Sequence, residues 1–528
     1  MNGVEAVNAA SLLGEAAARH PDRPALLGGE CVTFGELWDR VDRCSVGLLR
    51  SGLRAGDRAI CMIPMSVDLY VVLLGLMKAG AVAVFVDPWI GMAQIAAFSA
   101  FAEPRAWIGV PRSHVLRLFQ GRLRHLPVSV TTGSRLGPLP ARLTLRELLA
   151  SAGDGLVHPA RPEDPALVTF TSGSSGTPKG ANRTHGFLRA QHAALRTQFS
   201  ARSGDVDMTM FPVFALNNIA LGVPTVIPDL DFRRVAAADA ARLRAQMERH
   251  AVTSCTASPP FFDRLAALDR RPPLRRILTG GAPVSDRQLE TWCAAWPEAE
   301  ILVAYGSTEA EPVAHIAAPE RLEALRHSPR PAPGYCTGKP TAQVRTRLIR
   351  ITRGPVTLGA EGWSAWQVAP GAIGELVVTG DHVGRDYFRN AQAVAENKIR
   401  DVDGTVWHRM GDTGYFDAEG RFWLVGRVHS TIVRGGLPVH PQLLEQAASG
   451  PEILQVAAIG VNDPALGEKI VVVVRGEAVD VAAVRARIAA AGLVADEVVV
   501  SREALPVDPR HNAKIDYAAL RRRWEKSP

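Results

Sequence analysis

The segment Thr169 to Gly186 reads T-F-T-S-G-S-S-G-T-P-K-G-A-N-R-T-H-G and follows the apolar run Ala166-Leu167-Val168. Glycine lets a backbone turn its N–H groups inward with no Cβ in the way, and hydroxyls add further donors. Lys179 adds a mobile positive charge. Such a segment suits a flexible clamp on a polyphosphate, most useful while pyrophosphate departs. It is not a Walker loop: counted from Gly173, Pro178 stands at the second glycine of G-x-x-x-x-G-K-[ST] and Gly180 at the hydroxyl. Nor does a flexible linker explain Pro-Lys-Gly at the end of a run that starts beside a buried strand.

Other residues complete a set. Tyr305-Gly306-Ser307-Thr308-Glu309 follows a strand candidate and pairs the Thr308 hydroxyl with the Glu309 carboxylate. That pair suits Mg²⁺, which takes few protein oxygens together with phosphate and water. Tyr305 offers a ring for a base. Gly280-Gly281-Ala282-Pro283 allows close backbone approach to a flat ligand. Asp412, in Gly411-Asp412-Thr413-Gly414, is placed to accept from a ribose, with Arg427 fifteen residues on. Lys514 precedes the terminal helix. Phe211, Phe214, Asn217, Asn218, Gly280 and Ala304 are candidate walls for an apolar chain carrying a hydroxyl. Taken singly, most of these serve equally as a helix cap, a tight turn or a solvated lysine.

The elements needed to position them are legible. Strand candidates Arg58–Ile63, Ala81–Val86, Ala106–Val110, Ala166–Phe170, Val252–Ala257, Arg276–Leu278 and Ile301–Ala304 alternate with helical stretches, which implies βαβ units and largely parallel sheet. Helices are expected over Val4–Arg19, from Thr33 and over Val235–His250. After about residue 333, Gly374–Gly380 and Gly420–Gly426 are short Gly-bounded strands typical of antiparallel hairpins or a small barrel. The last hundred residues form a compact α+β unit after a break near Gly426-Arg427-Val428-His429. The fold class expected is therefore α/β: a large N-terminal domain over 1–426 with a barrel-like subdomain, and a small C-terminal domain over 427–528.

A chain of 528 residues suggests two or more domains. Its formal charge of +7 is small for this length and interspersed with acids, so small anionic ligands are expected and nucleic acid is not. Six cysteines are scattered without a C-x-x-C pair, which favours a reducing cytosol over a disulfide or zinc framework. Glu5 and Glu15 interrupt any secretory signal, and the longest apolar run, Leu69–Met77, is too short to span a membrane. A cytoplasmic enzyme is expected.

In this order, the motifs resemble the acyl-adenylate-forming superfamily of acyl-CoA synthetases, peptide-synthetase adenylation domains and luciferases. The resemblance runs from Thr33-Phe34-Gly35-Glu36-Leu37 through Gly56-Asp57-Arg58 to Lys514. It implies ATP- and Mg²⁺-dependent activation of a carboxylic acid, with a mobile C-terminal domain hinged near His429. By that resemblance Thr171, Ser172, Gly173, Ser174, Ser175, Gly176, Thr177 and Lys179 hold the β- and γ-phosphates. Thr308 and Glu309 handle the metal, and Gly281, Ala282, Pro283, Tyr305 and Gly306 meet the adenine. Asp412 takes the ribose, Arg427 ribose or phosphate, and Lys514 bridges substrate carboxylate and α-phosphate.

The chain departs from the CoA-thioester-forming relatives. Ala215 replaces the histidine of Pro-Leu-Phe-His, His429 stands where Asp or Lys is usual, Val433 replaces a lysine, and Ala513-Lys514 replaces Gly-Lys. Phe211–Leu216, Thr225–Asp229, Glu309–Val313 and Tyr335–Pro340 resemble instead the β-lactone synthetases of bacterial olefin biosynthesis. That resemblance implies adenylation of a 3-hydroxy fatty acid, whose own hydroxyl then attacks. Transfer to CoA or a carrier-protein thiol, association with pathway enzymes, and an inactive nucleotide-binding scaffold are the alternatives.

Overall fold

A computed structural model describes residues 7–86, 92–135, 140–171, 179–232, 237–507 and 515–525. Three sheets organise them. The first has seven strands, in the order Leu143–Thr144, Val128–Thr131, Ala106–Gly109, Arg58–Met62, Val82–Phe85, Pro165–Thr171, Lys179–Thr184. All neighbours are parallel except the last pair, which forms a hairpin. The central strands are buried apolar runs, as parallel strands covered on both faces must be.

The second sheet has fourteen strands. Its parallel part joins Asp207–Thr209, Ser254–Ala257, Arg276–Thr279 and Glu300–Ser307. From there it turns antiparallel through Ala310–Ala317, Tyr335–Pro340, Phe422–Arg427, Val406–Phe416, Gly374–Thr379 and Arg345–Ile349. The Gly-bounded strands expected as hairpins are thus hydrogen-bonded into one path with the parallel strands. The third sheet sets Leu437–Val439, Ile432–Arg434, Gly467–Gly476 and Ile453–Asp463 side by side, with Glu497–Val500 parallel to Gly467–Gly476. Helices Pro441–Ala448 and Val481–Ala490 cover one face, and Tyr517–Glu525 the other.

Two expected helices start late, each for a polar reason. The first spans Ser11–Arg19. Ahead of it Asn8 donates to Met77 O and His158 O at 2.8 and 3.0 Å and accepts from Ala10 N, which pins a turn. The other begins at Ala240, where the extended Asp239 accepts from Ala241 N and Arg242 N. Among the described residues no helix is long and apolar enough to cross a membrane.

Candidate active site

The clamp is rooted in the hairpin that edges the seven-stranded sheet. Thr171 and Lys179 are register partners there. Residues Ser172 to Thr177 lie outside the described residues, as does Lys514. Lys179, at the root, has its ammonium 3.6 Å from Glu396. The hairpin is tied to the connection between strand Gly374–Thr379 and helix Ala391–Asn397: Phe388 N donates to Gly180 O at 2.8 Å, and Ala181 bridges Tyr387.

Tyr387 leads to the second cluster. Strands Glu300–Ser307 and Ala310–Ala317 pair Ser307 with Ala310, so Thr308 and Glu309 form a two-residue tip. Buried Arg183, on the clamp hairpin, donates to Thr308 O at 3.0 Å. Tyr387 Oη donates to Glu309 Oε1 at 2.8 Å. Burial pushes the Glu309 carboxyl up, but the Lys398 ammonium and the Tyr387 hydroxyl outweigh it and hold the group below its usual range. Lys398 itself is pulled down to about 8 by burial, against Glu309 and Asp386. Burial and Lys398 depress His408 to about 3. Lys398 lies 3.1 Å from His408 Nδ1. The same nitrogen lies 3.3 Å from Asn397 O.

The third cluster centres on Asp412, 2% exposed and cross-strand partner of Arg427. Tyr305 Oη donates to Asp412 Oδ2 at 2.7 Å. Burial and Asp412 push the Tyr305 phenol well above its ordinary range, so it stays a donor. Arg427 Nε lies 2.8 Å from Asp412 Oδ1. That contact is not aligned as a hydrogen bond, and Oδ1 keeps an unfilled acceptor. Tyr305 also leans on Phe422, centroids 5.8 Å apart and planes at 36°. Gly280 to Pro283 leave the carboxyl end of the parallel strand Arg276–Thr279, the usual mouth of such a sheet. A Cβ on Gly280 would meet Ala304 O at 2.7 Å, and Gly281 has φ +78°. Glycine alone allows that approach and that turn.

Of the expected pocket walls, Phe211, Phe214 and Ala304 pack together with Leu195, Leu278 and Leu302. Asn217 Oδ1 lies 3.0 Å from His192 Nδ1. Asn218, one turn after Phe214 on the same helix, donates its amide to buried Asp207 at 2.9 Å. At the expected hinge, exposed His429 sits in a one-turn helix, Val428–Ser430. Arg427 O there accepts from Ser430 Oγ, Thr431 N and Thr431 Oγ1.

Residues 13–388 match the family described as AMP-binding enzyme. The chain belongs to the AMP-binding enzymes. This AMP-binding enzyme is 35% identical to an olefin beta-lactone synthetase of Stenotrophomonas maltophilia, over 96% of either chain. It is 34% identical to another of Xanthomonas campestris pv. campestris, over 92% of this chain and 89% of that one. An amide bond synthetase of Marinactinospora thermotolerans shares the fold, with a TM-score of 0.81 at 22% identity, covering 98% and 99%. The chain is an ATP-dependent, AMP-forming ligase with the mixed α/β fold of its family.

The donors present fit its nucleotide. Asp412 Oδ1 is a buried acceptor without a hydrogen bond, suited to a sugar hydroxyl. Glu309 is held ionised at a hairpin tip beside a cationic hairpin. Tyr387, Lys398 and His408 were missed in the sequence because each stands outside any short motif, and Arg183 because only the glycines, hydroxyls and lysine of its segment were read as phosphate-binding. The one available signal was Lys398 itself, a charge between Asn397 and Ile399 in a strand with an apolar neighbour.

Proposed function

We propose that this enzyme adenylates a 3-hydroxy carboxylic acid and then closes it onto its own hydroxyl, giving a β-lactone and AMP. The 35% identity to an olefin beta-lactone synthetase along 96% of the chain is the observation that carries the reading. Ala215 supports it. The position where CoA-forming relatives bear histidine is here a methyl with no exposure, packed in the core with Ile219.

A carboxylate is anionic and resonance-stabilised, so its activation brings two anions together and needs positive charge at their junction. Lys514, delivered by the mobile domain 427–528 about a hinge at His429, supplies it. The clamp residues from Thr171 to Lys179 hold the departing phosphates. Asp412 and Arg427 hold the ribose, and Gly281 to Pro283 with Tyr305 and Gly306 form the adenine wall. Thr308 and Glu309 hold magnesium, which neutralises phosphate oxygens when bound. Phe211, Phe214, Asn217, Asn218, Gly280 and Ala304 line the acyl site. In the second step the 3-hydroxyl oxygen bonds to the acyl carbon and gives up its proton, the acyl–phosphate C–O bond breaks with its electron pair going to the phosphate, and AMP departs with the proton released to solvent or to its phosphate. No thiol enters, and a reducing cytosol suits the six free cysteines.

Incubation with ATP, Mg²⁺ and a panel of 3-hydroxy acids, without thiol, gives a product lighter than the acid by one water. Product that forms only when CoA is added overturns the lactone step. Lys514→Ala lowers ATP–pyrophosphate exchange about 10²–10³-fold, the usual effect of losing one preorganised electrostatic group. An unchanged exchange rate returns Lys514 to a surface role.

A further inference from the structure

Lys398 is 5% exposed, at the start of strand Lys398–Arg400. Taking an ammonium out of water is costly. Among the described residues the other lysine so deeply buried is Lys78, which offsets that cost through a direct ion pair with Asp42 at 2.6 Å. The contacts of Lys398 are to neutral groups. It donates to Gly384 O and to His408 Nδ1, and its ammonium lies 5.0 Å from the centre of the Tyr387 ring.

Two routes lead from those contacts to Glu309. Through the first, the ammonium fixes the face of the Tyr387 ring, whose hydroxyl donates to Glu309 Oε1 at 2.8 Å. Through the second, it holds Gly384 O while Gly384 N donates to Glu309 O at 2.7 Å. One cation thus ties down both the side chain and the backbone of the same residue. The Gly384–Phe388 segment it braces also touches the clamp hairpin, where Phe388 N meets Gly180 O.

We propose that Lys398 is a positioning residue of the nucleotide site, fixing Glu309 through Tyr387 and Gly384 so that its carboxylate can hold the magnesium–triphosphate group. This rests on the reading of Glu309 given above. A methionine of similar length would fill the same space at no electrostatic cost, so a purely structural lysine here has little reason to exist. Groups that tune a metal-holding carboxylate from behind typically change metal affinity or activity about 10–100-fold when removed.

The test uses the full chain, with ATP binding measured calorimetrically across a magnesium titration and pyrophosphate exchange followed in parallel. Lys398→Met raises the magnesium needed for half-maximal ATP binding about tenfold or more. ATP binding in EDTA stays near wild type, and Lys398→Arg restores part of the loss. Tyr387→Phe removes a single oxygen and shifts the magnesium requirement in the same direction, which keeps the test decisive if Lys398→Met does not fold. Wild-type magnesium dependence in Tyr387→Phe, or in folded Lys398→Met, overturns the inference. Wild-type protein that neither binds ATP nor exchanges pyrophosphate overturns the functional reading instead.

Discussion

Asp412 receives a hydroxyl from Tyr305 on one oxygen, while the other is ion-paired with Arg427 at 2.8 Å and accepts no hydrogen bond. Hydrogen bonds to a charged group contribute about 1.5–3 kcal/mol each. Asp412→Asn removes the charge and turns an amide donor toward either Arg427 or the sugar, so ATP affinity falls roughly 10–100-fold. Calorimetric titration with ATP measures it, and an unaltered Kd refutes the ribose assignment. Asp412, Arg427, Glu309 and Lys179 were legible because each sits in a compact motif whose spacing survives folding. Lys398 and Tyr387 were not: ten residues, including the helix Ala391–Asn397, lie between them, and only the fold lays the ammonium on the ring. Tyr305 was legible as a site residue, while its contact with Phe422 was not, because that partner lies on a strand over a hundred residues away.

At the scale of elements, the hairpin Val406–Phe416 with Phe422–Arg427 brings Asp412 opposite Arg427, and its first strand also carries Arg409. Arg409 forms a two-pronged pair with Glu375 on Gly374–Thr379, at 3.0 and 2.6 Å, with both side chains at most 6% exposed. The same guanidinium donates to Glu396 O and Thr352 O. Burial raises the Glu375 carboxyl even with Arg409 alongside. Arg409→Met leaves that carboxyl buried without its cation, and breaking such a pair costs about 3–5 kcal/mol. The double variant Arg409→Met with Glu375→Gln removes both charges and loses less. Urea unfolding of the three proteins checks the order, and equal midpoints for the single and double variants contradict it. The parallel strands were legible as short buried apolar runs between helices. Their division between two sheets was not, since the Arg58–Met62 and Ser254–Ala257 runs look alike locally. Nor could the sequence reveal that Glu300–Ser307 pairs parallel on one side and antiparallel on the other, because strand pairing is a long-range choice.

Across the whole molecule, the terminal sheet and its helices meet the rest through a few polar contacts. Gln446 takes Gly334 N at 2.8 Å and reaches Gly334 O, Arg287 donates to Pro451 O, and His440 Nδ1 lies 3.3 Å from Thr413 Oγ1. Thr413 adjoins Asp412, so this junction touches the candidate ribose site directly. His440 belongs to a group of buried neutral histidines that tie distant segments together. His185 Nδ1 accepts from Ala9 N at 3.0 Å, and His114 Nδ1 faces Arg117 while its Nε2 reaches Val130 O. Burial lowers His185 and His440 to about 4, and burial with Arg117 lowers His114 to about 4. Protonating Nδ1 destroys the contact at His185 and His114, where it accepts from an N–H, and at all three the charged ring is disfavoured by burial. The unfolded chain takes up these protons near pH 6.5, before the folded one can. The stability they confer is therefore complete above about pH 6.5 and lost as pH falls toward 4, at up to about 1.4 kcal/mol per pH unit for each histidine. Urea midpoints drop steeply between pH 7 and pH 5, and His185→Gln, though weaker at pH 7, shows a shallower drop. A wild-type midpoint that holds level across that interval shows that these imidazoles are not kept neutral by the fold.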